Sequence, residues 1–156
     1  MKKYFLYSLF LCFILSCEEN VKFNNPSFQG VKDNVFWRAV TATATISSGG
    51  VLTINAYTRN EQAVLKTSSA SVNTYTLGTN NINTATFITT EPTEIITFAT
   101  STGKGDGQIS ITEYDTTNKT ISGTFRFNAI NTAINPTTGT TLNFQEGVFY
   151  KIPITP

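Results

Sequence analysis

The chain contains no histidine and only two cysteines, Cys12 and Cys17. Without histidine, neither a Ser-His-Asp nor a Cys-His nucleophile system can be assembled, and the commonest metal ligand is missing. Cys12 lies inside an apolar leader and Cys17 at its end, so no disulfide is expected in the mature protein. Charge is also scarce, with Asp, Glu, Lys and Arg making up 13% of the residues. With Lys2 and Lys3 of the leader set aside, nine basic residues face ten acidic ones. That leaves no basic excess to neutralise phosphates, which argues against nucleic-acid binding. Helical patterning is absent as well. No stretch of about ten residues keeps apolar positions at helical spacing without strong β-formers or breakers.

What is abundant is threonine, with 28 residues, alongside frequent asparagine and 12% aromatics. β-Branched and aromatic side chains suit a pleated surface, so this composition favours strands. Disordered chains show the opposite balance, with high charge and few aromatics. A length of 156 residues fits one domain.

The first residues read as a leader. Met1-Lys2-Lys3 is a short positive start, and Tyr4 to Leu15 is almost wholly apolar. That run is shorter than the ~20 residues of a spanning helix and matches a signal-peptide core. Ile14-Leu15-Ser16-Cys17 then resembles a lipobox, with an aliphatic residue three before the cysteine and a small one just before it. Cleavage between Ser16 and Cys17 is expected, with lipid on the Cys17 thiol as the link to the membrane. Several acyl chains, each contributing ~0.8 kcal/mol per buried CH₂, give durable anchoring. The organisation expected is a signal peptide over 1–16, a lipidated cysteine and polar tether over 17–34, and an all-β domain over 35–156. Within the tether, Phe23 and Phe28 are candidates for packing onto the domain.

From Val35 onward, short alternating runs are separated by turn residues. Phe36 to Ile46 reads as one strand with Val40, Ala42, Ala44 and Ile46 on one face. Val51 to Thr58, Gln62 to Lys66, Val72 to Leu77, Thr84 to Thr89 and Glu94 to Thr100 follow, with Arg59-Asn60-Glu61 read as a turn. The clearest hairpin pairs Gln108–Tyr114 with Thr120–Ala129 around Asp115-Thr116-Thr117-Asn118-Lys119. Ile121, Phe125, Phe127 and Ala129 share one face, the period of two of a half-buried strand. Gly123 sits on that same face, where a bulge or a close neighbour is expected. Thr141–Gln145 and Val148–Ile154 end the series. Nine or ten short strands in an antiparallel meander, closing as a barrel or a sandwich, is the expected fold, with the barrel slightly favoured.

Several of these stretches occur together in a known setting. They are Phe36-Trp37-Arg38-Ala39, Tyr75-Thr76-Leu77-Gly78, Gly105-Asp106-Gly107-Gln108-Ile109-Ser110-Ile111-Thr112, Ile121-Ser122-Gly123-Thr124-Phe125-Arg126-Phe127 and Gly147-Val148-Phe149. In this order, after a lipobox, they resemble the uncharacterised β-rich lipoprotein families of Bacteroidota, over roughly Val35 to Ile154. The resemblance implies an envelope location and an all-β fold, and carries no activity or site residues. Glu18-Glu19 after the cysteine resembles the acidic surface-export signal of those bacteria, and equally a solvated tether. Asp115-Thr116-Thr117 matches their short O-glycosylation motif, which makes Thr116 a candidate modified residue on an exposed turn.

Catalytic chemistry has little to draw on. Paired carboxylates remain formally open, the candidates being Glu91, Glu94, Asp106, Glu113, Asp115 and Glu146, but their Gly, Pro and Asn neighbours suggest exposed turns. Gly103-Lys104-Gly105-Asp106-Gly107 lacks the P-loop spacing and a following helix, and reads as a hairpin turn. Asp106 has no EF-hand spacing around it, and no metal or cofactor is expected. Trp37 is read as a core residue or a plug over one end of the β-structure. Tyr57, Tyr75, Tyr114 and Tyr150 are partly buried or line a cleft, and Arg126 pairs across strands with an acid such as Glu113 or lies on the surface. The expectation is a non-catalytic envelope lipoprotein that acts as an interaction or accessory module in the outer membrane, with its protein or glycan partner open. The alternative is a barrel holding a lipid, sugar or apolar metabolite, which needs an internal cavity of ~300 Å³ or more.

Overall fold

A computed structural model describes residues 27–91, 94–134, 136 and 139–155. The leader, Ser16 and Cys17 lie outside the described residues. Eleven strands and no helix are found among the described residues. They are β1 Ser27–Lys32, β2 Val35–Arg38, β3 Thr41–Ile46, β4 Leu52–Tyr57, β5 Glu61–Thr67, β6 Asn73–Leu77, β7 Thr84–Glu91, β8 Glu94–Ala99, β9 Asp106–Asp115, β10 Thr120–Asn131 and β11 Thr141–Thr155.

The strands form one hydrogen-bonded sheet in the order β2-β1-β11-β3-β4-β5-β7-β8-β10-β9-β6, closed by a further β10–β11 pairing. Two long strands make the closure possible. β11 spans 15 residues, and one of its edges holds β1 against Phe144–Tyr150 and then β3 against Ile154–Thr155. β10 spans 12 residues, and one of its edges holds β9 and then β8. The result is the closed all-β structure expected, with a different route through it. The β11–β3 contact is parallel, and β6 leaves its sequence neighbours β5 and β7 to pair with β9 instead.

Residue size explains how the two halves fit. On β3, β4, β5, β7 and β8, one inward row reads Ala42, Ala56, Ala63, Phe87, Phe98 across the registered pairs. The opposing strands β1, β10 and β11 present Phe28, Phe125, Phe127, Phe144 and Phe149, all buried. The alanines on the first wall leave depth for rings on the other, as a close-packed interior requires. Phe144 lies 5.6 Å from Trp37, 6.2 Å from Phe87, 5.2 Å from Phe125 and 5.4 Å from Phe127, measured between ring centroids. Rings from both walls thus meet at the separations aromatic pairs prefer.

Three local readings change. β1 falls inside the stretch read as tether, so the folded unit includes Ser27–Lys32, with Phe28 buried at 1% exposure. Its polar look came from Gly30, which packs on the Phe144 ring, and from Lys32, which faces inward. The run read as Phe36–Ile46 is two strands with a corner at Ala39-Val40. There the Val40 amide donates to the Tyr57 carbonyl and the side chain is 86% exposed. The last two runs are one strand, β11, kinked where Glu146 and Lys151 take positive φ of 51° and 49°. The buried positions slip in step, from Leu142 and Phe144 to Gly147 and Phe149, then back to Ile152.

Candidate functional site

Two places concentrate polar chemistry, one at the edge of the interior and one on the outer face. The first is built around Glu61. Read from sequence as a turn residue, it begins β5 and shares the inward parity of Ala63, Leu65 and Thr67. Its carboxylate accepts hydrogen bonds from Lys32 Nζ at 2.5 Å and from Trp37 Nε1 at 2.6 Å. Lys32 Nζ also lies 4.9 Å from the centre of the Phe87 ring. Each half-buried polar group therefore has a partner, as a low-dielectric site requires. Trp37 is 6% exposed and packs edge-on against Phe28, Phe87 and Phe144. Lys32, Trp37 and Glu61 thus tie β1, β2 and β5 together at the edge of the interior. The sequence signal for this arrangement was the parity of Lys32 with Phe28 and of Glu61 with Ala63.

The second place is a cleft of about 310 Å³ on the outer face of β9, β10 and β11. It is lined by Asp106, Arg126, Asn128, Asn143, Gln145 and Glu146, with the backbone of Gly107, Phe127 and Phe144 nearby. Asn128 Nδ2 donates to Asp106 Oδ1 at 3.0 Å, and Asn143 Nδ2 donates to Asn128 Oδ1 at 2.6 Å. The Asn143 amide nitrogen of the backbone donates to Asp33 Oδ1 at 2.8 Å. A fixed polar row thus crosses three strands. Arg126 lies on the surface, the second of the two expected placements, where its Nη2 donates to Gln108 Oε1 at 3.3 Å, its partner in register, and not to Glu113. Glu113 instead accepts from Ser122 Oγ.

Opposite Arg126, β11 inserts an extra residue. Phe125 is registered with Gly147 and Phe127 with Phe144, so Gln145 and Glu146 together face one residue of β10. Such a bulge bends the strand and re-aims a side chain. Glu146 at positive φ is a conformation that a residue with a β-carbon rarely takes. Gly30 on the neighbouring strand makes room for the bulge. A β-carbon there would come within 2.6 Å of the Phe144 ring and 3.0 Å of the Gly147 backbone.

The other sequence candidates do not converge. Glu91 and Glu94 are registered across the β7–β8 hairpin, and their side chains lie outside the described residues. Tyr75 is buried, with its hydroxyl on the Ser71 carbonyl, whereas Tyr57, Tyr114 and Tyr150 are on the surface, so the four tyrosines line no common cleft. The glycine-rich segment is a tight turn. The amide of Lys104 donates to the Ser101 carbonyl, and the amide of Ser101 to the Lys104 carbonyl. Among the described residues, no group of three His, Cys, Asp or Glu could hold a metal ion.

Thr116 is exposed in the β9–β10 turn, next to Asp115. The amide of Asn118 and then its side-chain amide hold the Asp115 carboxyl below its usual value of 3.8, with the Thr117 amide adding to them. A carboxyl whose native pKa is depressed stabilises the fold fully above its unfolded value and loses that contribution as pH falls through the lower native value. Thermal midpoints of the wild type should therefore fall in acid below pH 3.8 more steeply than those of Asp115→Asn. Parallel curves through that window would exclude the turn as a source of acid sensitivity.

A family of domains of unknown function, DUF6252, matches residues 24–153, and the chain belongs to it. No curated protein and no solved structure matches the chain.

Proposed function

For this member of a family without an assigned activity, we propose the role of a non-catalytic lipoprotein of the bacterial cell envelope, of Bacteroidota type. It is anchored in the outer membrane by lipid on Cys17 and acts as an interaction or accessory module. The observation that carries the reading as a module, and not as a carrier, is the interior. Phe28, Trp37, Phe87, Phe125, Phe127 and Phe144 touch one another from wall to wall. A carrier keeps that space for its cargo. Recognition then belongs to the outside, where polar side chains of β9, β10 and β11 line a cleft. Support for the anchor comes from Ile14-Leu15-Ser16-Cys17 after an apolar leader. Thr116 is the proposed O-glycosylated residue, on an exposed turn that a transferase can reach.

Metabolic labelling with an alkyne fatty acid tests the anchor. The wild type should be tagged and retained with membranes, and Cys17→Ala should be neither. Equal labelling of both would refute lipidation at Cys17.

A further inference from the structure

We propose that the outer cleft between β9 and β11 binds carbohydrate, with Arg126 and Glu146 recognising sugar hydroxyls and Asp106 as a second acceptor. The cleft's volume of about 310 Å³ is at the lower end of small-ligand sites, enough for part of an oligosaccharide chain. Its walls are organised before any ligand arrives. Asn128 is committed at both ends, to Asp106 and to Asn143, which fixes the orientation of the row. Among the described residues, Asp106 Oδ2, Asn143 Oδ1 and the whole Glu146 carboxylate have no hydrogen-bond partner. Arg126 makes one long hydrogen bond, to Gln108, and no ion pair with either acid of its own cleft.

Asp106, Arg126 and Glu146 are exposed and hydrated in the open cleft, and a ligand that donates and accepts at neighbouring atoms can replace that water. Vicinal hydroxyls do this, since each hydroxyl is one donor and two acceptors. Other occupants fit less well. A divalent cation would meet the Arg126 guanidinium, and a protein hot spot would need a desolvated aromatic centre. An added peptide strand pairs with a sheet edge and not with a face.

The outward row through the cleft gives the direction. Phe36 on β2 is registered with Val31, Val31 with Gln145, Arg126 with Gln108, and Gln108 with Thr76. With strands about 4.8 Å apart, Phe36 lies about 10 Å from the Gln145 position. Phe36 as a residue is 65% exposed, and its ring offers a stacking face for a sugar unit beyond the cleft. The ligand chain therefore runs across the strands. The bulge that places Glu146 at positive φ serves to present its carboxylate to that chain.

The test is isothermal titration of the full-length chain in detergent micelles with soluble oligomers of glucose, mannose, xylose and N-acetylglucosamine. At least one series should bind, and Arg126→Gln and Glu146→Gln should each weaken it about tenfold or more, with unchanged thermal midpoints. No binding of any oligomer at millimolar concentration would overturn the proposal, as would wild-type affinity in both variants. Binding of calcium alone, lost in Glu146→Gln, would also overturn it by making the cleft a cation site. The anchor is read separately by fatty-acid labelling, so either reading can fail alone.

Discussion

Phe144→Ala should lower the free energy of unfolding by about 3–5 kcal/mol, the range for deleting a buried ring that its neighbours cannot replace. Phe144 is fully buried and touches four other rings, two from β10, one from β7 and Trp37 from β2. Its removal opens a void at the point where both walls meet, and β-strands on either side are held in register and cannot collapse inward. Against a total stability of about 5–15 kcal/mol, such a loss removes roughly a fifth to all of the margin. Urea denaturation should show a much lower midpoint with an unchanged slope. A loss below about 1 kcal/mol would mean that the rings do not carry the core.

Gly123→Val should be nearly as damaging for the opposite reason. Gly123 sits on the buried face of β10, and a β-carbon there would run into both the Ser110 carbonyl oxygen and the Phe149 ring. The registers of β10 with β9 and with β11 both shift at this position, so backbone on each side closes around the glycine. Overpacking of this kind costs about 1–3 kcal/mol, and more where the obstacle is backbone that cannot rotate away. Gly123→Ala should already be measurable. Arg126→Gln, exposed on the same strand, should change stability by no more than about 0.5 kcal/mol. Equal midpoints for the glycine and arginine variants would contradict the close approach.

The alternation of Ile121, Phe125, Phe127 and Ala129, the Asp115–Lys119 turn and the special place of Gly123 were all legible, because a strict period of two leaves one reading. Trp37 was legible as core from its large ring alone; the parity read for Phe36–Ile46 would have turned it outward, and the corner at Ala39-Val40 resets that parity. The connectivity was not, since strand order depends on pairings between distant segments. Nothing local to Val72–Leu77 says that it joins β9. β1 was hidden because two of its inward positions are Gly30 and Lys32, which carry no apolar signal. The Glu61 cluster was hidden by its place after Arg59-Asn60, where turn chemistry outweighed parity with Ala63. The outer cleft was the hardest to see. Asn128, Asn143 and Asp106 look like any solvent-facing alternates, and only the slip of apolar positions between Phe144 and Gly147 marks the bulge that shapes it.

Native and denaturing mass spectrometry of the protein extracted from bacterial envelopes in mild detergent tests the central claim most directly. A chain that begins at Cys17, carries covalent acyl mass and has the same mass in both spectra fits an anchored module with a filled interior. A stoichiometric apolar small molecule present in the native spectrum and lost on denaturation, or a chain without acyl mass, would contradict it.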